Sequence, residues 1–149
     1  IRSVDNNLLL LIVTSLALGS VIQITGTANF LSQSLVDFLG DSSPLVLLLC
    51  FYMLVSITTN FISNNACAVL FTPIAIDIAE KINVDPKIFA IALIFAVNTS
   101  FVTPLAYQTN LLVMGPGHYK FIDYVKFGLP LTILCWVVFF ITFPLFYQL

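Results

Sequence analysis

The chain holds 149 residues, 60% of them hydrophobic and 8% charged, and five basic against seven acidic side chains give a formal net charge of −2. Soluble domains carry about 25% charged residues, so a water-facing surface cannot be assembled here; the expected fold class is an all-α membrane protein, multi-pass in a cell membrane. The few charges are mixed in sign and scattered over short segments, which leaves no basic face and excludes nucleic acid as a partner.

The chain opens IRSVDNN, without an initiator Met and without the basic start, short apolar core and small-residue cleavage site of a signal peptide. Residues 1–149 are therefore expected to be the C-terminal membrane segment of a larger protein. Arg2 and Asp5 precede LLLLIVTSLALGSVIQI, residues 8–24, which approaches the roughly 20 residues that a hydrocarbon core requires. TANFLSQSLVDFLG, residues 27–40, follows. Its Phe30, Leu31, Leu35, Phe38 and Leu39 recur at helical spacing with Ser32, Gln33, Ser34 and Asp37 between them, the pattern of an amphipathic helix lying along the membrane surface.

Two apolar runs come next, 44–58 and 66–79, separated by TNFISNN. Each makes roughly 21 to 23 Å of helix, short of a full crossing. A re-entrant helical hairpin over about 44–79, with its tip near 59–65, fits both lengths and the polar centre. In EKINVDPK, residues 80–87, Asp85 suits an N-cap and Pro86 a first helical residue. The helix that follows stops at NTSFVTPLAYQTN, residues 98–110, where Pro104 removes a donor and disfavours helix at Thr103. LLVMGPG beyond it cannot span alone, so one broken helix over about 86–114, unwound near 100–109, accounts for both halves. HYKFIDYVKFG reads as a second amphipathic interfacial helix, and LPLTILCWVVFFITFPLF, residues 129–146, as the core of a last span over about 128–147. Basic residues favour the cytoplasm for Arg2, Lys120 and Lys126 but leave Lys81 and Lys87 outside, so charge alone does not orient the chain. Cys50, Cys67 and Cys135 each lie in an apolar run, at spacings that fit neither zinc nor a disulfide framework, and read as small core residues.

The two breaks carry the functional argument. Non-helical backbone at membrane depth must line protein or a watery cavity. Interrupted helices expose N–H groups suited to an anion at one end and carbonyls suited to a cation at the other. Helices starting near Ala66 and Asn110 would aim their N-termini at the polar clusters, while carbonyls near Thr59 to Ile62 and at Leu105 and Ala106 face the same region. Taken singly, Ser63-Asn64-Asn65 suits a loop joining two spans, and Pro104 an ordinary kink. Both in one short chain, one helix apart, point to a secondary transporter. No Asp, Glu, Lys or His lies at midplane depth in this stretch, because Asp77 and Glu80 fall at the end of the hairpin's second arm and His118 lies beyond the broken helix. Proton-coupled carriers keep an ionisable relay residue within the membrane, so sodium is the expected coupling ion. No organic cofactor is expected.

Three stretches, LALGSVIQITGTANFLSQSL, TNFISNNACAVLFTPIAIDIAEKINVDP and SFVTPLAYQTNLLVMGPGHYKFIDYVKFGLPL, resemble the divalent anion/sodium symporter family. They look like its surface helix, its outward hairpin and its unwound helix leading to the last span. The resemblance implies a sodium site at Thr59, Ile62, Ser63 and Asn64 with the Ala106 carbonyl, and an anion site at Asn64, Asn65, Tyr107, Gln108, Thr109 and Asn110. It also implies a partner repeat upstream, a homodimer and elevator-like movement. The tip reads Ser-Asn-Asn where the family usually has Ser-Asn-Thr, and Tyr-Gln-Thr-Asn is similar to the sulfate-transporter-like branch.

The function expected is sodium-coupled symport of a small anion, a sulfate-like oxyanion in preference to a di- or tricarboxylate. Alternatives are an arsenite or metal-oxyanion efflux permease, a proton-coupled carrier of the same superfamily, and a non-transporting membrane sensor or subunit. An enzyme is not expected, because no nucleophile–base pair or metal-ligand cluster occurs.

Overall fold

The computed structural model describes residues 13–14, 17–18, 20–22, 24–39 and 43–147. Arg2, Asp5 and part of the first expected span lie outside the described residues. Those described between 13 and 24 are helical, apart from which six helices have defined bounds: α1 Thr27–Leu39, α2 Pro44–Thr58, α3 Asn64–Lys81, α4 Pro86–Val97, α5 Gln108–Met114 and α6 Phe121–Phe146. The protein is an all-α membrane protein, and α6, with mean hydropathy 2.3, is the one described helix long and apolar enough to cross a bilayer. Apolar α2 and α4 are shorter.

Local signals set most helix ends. Pro44 opens α2 at its first turn, and Asp85 caps α4 by accepting the Lys87 N–H at 2.9 Å, with Pro86 in the first helical position. After α3 the chain turns through Asn83 in the left-handed region, φ 56°. Val84 N–H reaches Ala79 O and Asn83 N–H reaches Glu80 O, the paired bonds that close a helix C-terminus. Gly26, φ 72°, supplies the left-handed residue in the turn before α1.

Helices α2 and α3 run back along one another, and α4 packs on both. Phe51 of α2 meets Phe71 of α3 edge-on at 6.1 Å and Phe89 of α4 at 5.7 Å. On the other side of α2, Tyr52 stacks on Phe139 of α6 with ring centres 3.8 Å apart. Such aromatic pairs contribute about 0.5–1.5 kcal/mol each beyond area burial. In lipid, where apolar surface is already satisfied, this close packing and buried hydrogen bonds hold helices together.

Helix α1 lays its small face on the protein and turns its large apolar residues outward: Ala28 and Ser32 are buried, while Phe30 and Phe38 are 71% and 86% exposed. A polar clasp holds it there. Lys81 Nζ on α3 reaches Asn29 Oδ1 at 2.7 Å, Ser32 Oγ at 2.6 Å and Asp77 Oδ2 at 2.9 Å, and the Ser32 hydroxyl donates to Asp77. One expectation changes: the second expected interfacial helix is not separate. Residues 121–128 continue into α6 without a break, started by Asp123 accepting the Lys120 N–H at 2.8 Å. Pro130 removes a single helical bond, which the apolar turns on either side tolerate.

Candidate functional site

Helix α2 ends at Thr58, and a tight turn carries the chain to Ser63. Asn60, Phe61 and Ile62 N–H groups bond back to Ile57 and Thr58 carbonyls at 3.0–3.1 Å. Ser63 then caps α3, its Oγ accepting the Ala66 N–H at 3.4 Å. The fully buried Thr59 hydroxyl lies 2.8 Å from Asn64 Oδ1 and 3.1 Å from the Val97 carbonyl. One proton must serve both acceptors, so Asn64 Oδ1 and the Thr59 oxygen keep lone pairs for another partner. Among the described residues the carbonyls of Ile62 and Ala106 accept no hydrogen bond.

The second break begins where α4 ends at Val97 and lasts until Gln108. Its irregular backbone is held from three sides. From the hairpin, the Asn60 amide accepts the Val102 N–H at 2.8 Å and donates to Ser56 O at 2.7 Å and Thr99 O at 3.3 Å, while the Thr103 hydroxyl donates to the Asn60 carbonyl. From within, Asn110 Nδ2 reaches the Ser100 and Thr103 carbonyls at 3.3 Å each. From α6, Tyr124 donates to the Asn110 carbonyl at 2.7 Å, and Trp136 Nε1 reaches Ser56 Oγ at 2.7 Å, itself 2.5 Å from Thr99 Oγ1. Gly128 lets α6 come closer still: a Cβ there would sit 2.1 Å from the Phe101 carbonyl oxygen.

Between the two breaks lies an open cleft of about 530 Å³. The hairpin contributes Ser63, Asn64 and Asn65; the segment entering α5 contributes Ala106, Tyr107, Gln108 and Thr109; Thr14 and Leu18 line it from the first helical stretch. Every lining side chain is neutral. Asn65, Gln108 and Thr109 are exposed, and among the described residues their side chains make no hydrogen bond to the protein. Thus seven of the residues named from the sequence meet in one place. Three do not line the cleft. Thr59 lies behind it, touching through Asn64; Ile62 is outside its lining; Asn110 turns inward to hold the unwound backbone.

Asn60, only 4% exposed, was not among the residues named from sequence, although three of its bonds join the two breaks. The one signal for it was a polar residue two positions past an apolar run of fifteen, and its partners on the second break lie some forty residues away.

A profile of the family described as citrate transporter matches residues 1–148. The chain belongs to the citrate transporter family. That membership agrees with the likeness to divalent anion/sodium symporters. Over 117 residues, 78% of this chain, it is 39% identical to the uncharacterized transporter sll0640 of Synechocystis sp., covering 19% of that protein. Over 137 residues, 92% of this chain, it is 36% identical to the uncharacterized transporter YfbS of Escherichia coli, covering 22% of it. More distantly, it is 24% identical over 130 residues to sodium/sulfate cotransporter 1 of Chlamydomonas reinhardtii, 87% of this chain and 15% of that protein. The chain thus spans about a fifth of the length of the relatives it matches. These relatives are named as transporters.

Proposed function

We propose that this segment supplies one side of the binding site of a multi-pass, sodium-coupled carrier of a sulfate-like oxyanion. What carries the reading is the convergence of unpartnered donors, from both breaks, on a single neutral cleft. Asn65, Gln108 and Thr109 have free amide and hydroxyl hydrogens, and the first N–H groups of α3 have no partner within the helix. Together they form a hydrogen-bonding surface for an anion. Sodium is held behind them by oxygens alone: Thr59, Asn64 Oδ1, and the carbonyls of Ile62 and Ala106, with Ser63 beside them.

The order of events follows from charge. A cation at the tip fixes Asn64 and supplies the positive field that the cleft's neutral side chains lack. The anion then binds against amides and hydroxyls without a fixed Lys or Arg that would slow its release. The relative named sodium/sulfate cotransporter 1 supports both ions. The family description favours a second substrate reading, a di- or tricarboxylate such as citrate.

Uptake of labelled sulfate into proteoliposomes, with and without a sodium gradient and with phosphate, succinate, citrate and arsenite as competitors, separates these readings. Sodium-dependent sulfate accumulation is expected, with Asn64→Ala abolishing the sodium stimulation while the protein still inserts. Uptake near wild-type levels in Asn64→Ala contradicts the site, accumulation driven by a proton gradient contradicts the coupling ion, and competition by citrate alone moves the substrate to the carboxylates.

A further inference from the structure

We infer that Asn60 is a positioning residue that makes sodium binding and anion binding depend on each other; this rests on the site proposed above and extends it. Asn60 follows Thr59 directly, so its backbone cannot move independently of the hydroxyl that contacts Asn64 Oδ1 at 2.8 Å. Its side chain bridges the end of α2 and the other break. Both amide hydrogens and the amide oxygen are engaged, with Ser56 O, Thr99 O and Val102 N at 2.7, 3.3 and 2.8 Å, and its carbonyl takes the Thr103 hydroxyl. An Asn side chain has two donors and one acceptor atom, so no donor is left for either ion. The residue touches neither the cleft nor the cation oxygens.

Its partners show what it transmits. Thr99, Val102 and Thr103 belong to the unwound stretch that runs on through Ala106, the proposed cation carbonyl, to Tyr107 and Gln108 in the cleft. A cation drawing Thr59, Asn64 and the Ala106 carbonyl together must therefore act on the backbone that Asn60 grips. The same grip sets where Gln108 and Thr109 stand. Buried hydrogen bonds in a low-dielectric interior are strong and mutually reinforcing, which makes this network a stiff connection. A coupling between two ligands acts equally in both directions: sodium should tighten anion binding by the same factor that the anion tightens sodium binding.

The test is sulfate affinity of the full-length transporter in detergent, measured at low and at saturating sodium, and expressed as the ratio of the two. In the wild type the ratio should be tenfold or more. In Asn60→Ala it should fall towards one, and in Asn60→Asp, which keeps the acceptor for Val102 N–H but turns a carboxylate on two carbonyls, it should fall as well. A merely structural role lowers the amount of folded protein or weakens both affinities together, leaving the ratio intact. If Asn60→Ala does not reach the membrane, Thr103→Val decides the matter, because it removes only the donor to the Asn60 carbonyl: a reduced ratio supports the inference and a wild-type ratio overturns it. A wild type whose sulfate affinity ignores sodium overturns the proposed function and this inference with it. A sodium-dependent wild type and folded variants that keep its ratio overturn this inference alone.

Discussion

The two sides of the candidate site treat their polar groups in opposite ways. Behind the cleft, Ser56, Thr59, Asn60, Thr99 and Thr103 are buried and bonded to one another or to backbone. At the cleft surface, Asn65, Gln108 and Thr109 are equally polar but exposed and without protein partners. Unpaired polar groups cost several kcal/mol in hydrocarbon, so the first set is satisfied within the protein. The second set is tolerable only where water or a ligand satisfies it. Mutations should therefore separate: changes behind the cleft register in folding or in the sodium dependence of binding, changes at its surface in the affinity for the anion itself.

The largest expected effect tests the buried side. Gly128→Val puts a branched side chain where even a Cβ would lie 2.1 Å from the Phe101 carbonyl oxygen, and backbone cannot yield as a flexible side chain does. Overpacking of this kind costs about 3 kcal/mol, more than the roughly 1 kcal/mol of helix propensity gained by replacing glycine. Thermal unfolding in detergent should show the loss, and an unchanged midpoint breaks the contrast. Next come the cleft residues. Asn65→Ala and Gln108→Ala should each raise the KM for sulfate about tenfold, or roughly 1.4 kcal/mol, while stability stays within about 0.5 kcal/mol. A drop in stability with unchanged KM would reverse their assignment. The smallest effect is Trp136→Phe, which removes the 2.7 Å bond to Ser56. A hydrogen bond between membrane helices is worth about 0.6 kcal/mol on average, so a slight loss of stability is expected, with KM for sulfate unchanged.

How much of this was legible in the sequence depends on the range over which each signal acts. Helix α2 was readable to its ends, because Pro44 starts it and the apolar run stops at the polar tip. Asp85 and Pro86 announced α4 for the same local reason. The cleft residues were legible too, since polar clusters within apolar chain need a cavity wherever they fold. What escaped was pairing across distance. Nothing near Asn60 in sequence indicates Thr99 or Val102, and nothing near Ser32 indicates Asp77 and Lys81. The clasp on α3 holds the small polar face of α1 inward and leaves its large apolar residues outward. Asn110 misled for a related reason: it sits among cleft residues in sequence, yet one position past Thr109 on a helix points it back at the carbonyls of Ser100 and Thr103.

The claim beneath all of this is that hairpin tip and unwound segment face one anion together. A double-mutant cycle on Asn65→Ala and Gln108→Ala, read from sulfate KM under saturating sodium, tests it most directly. Side chains that share a bound ion should couple by about 0.5 kcal/mol or more, in the range seen for residues with a common partner. Effects that add to within about 0.3 kcal/mol, as they do for independent sites, would mean that the two breaks serve separate purposes.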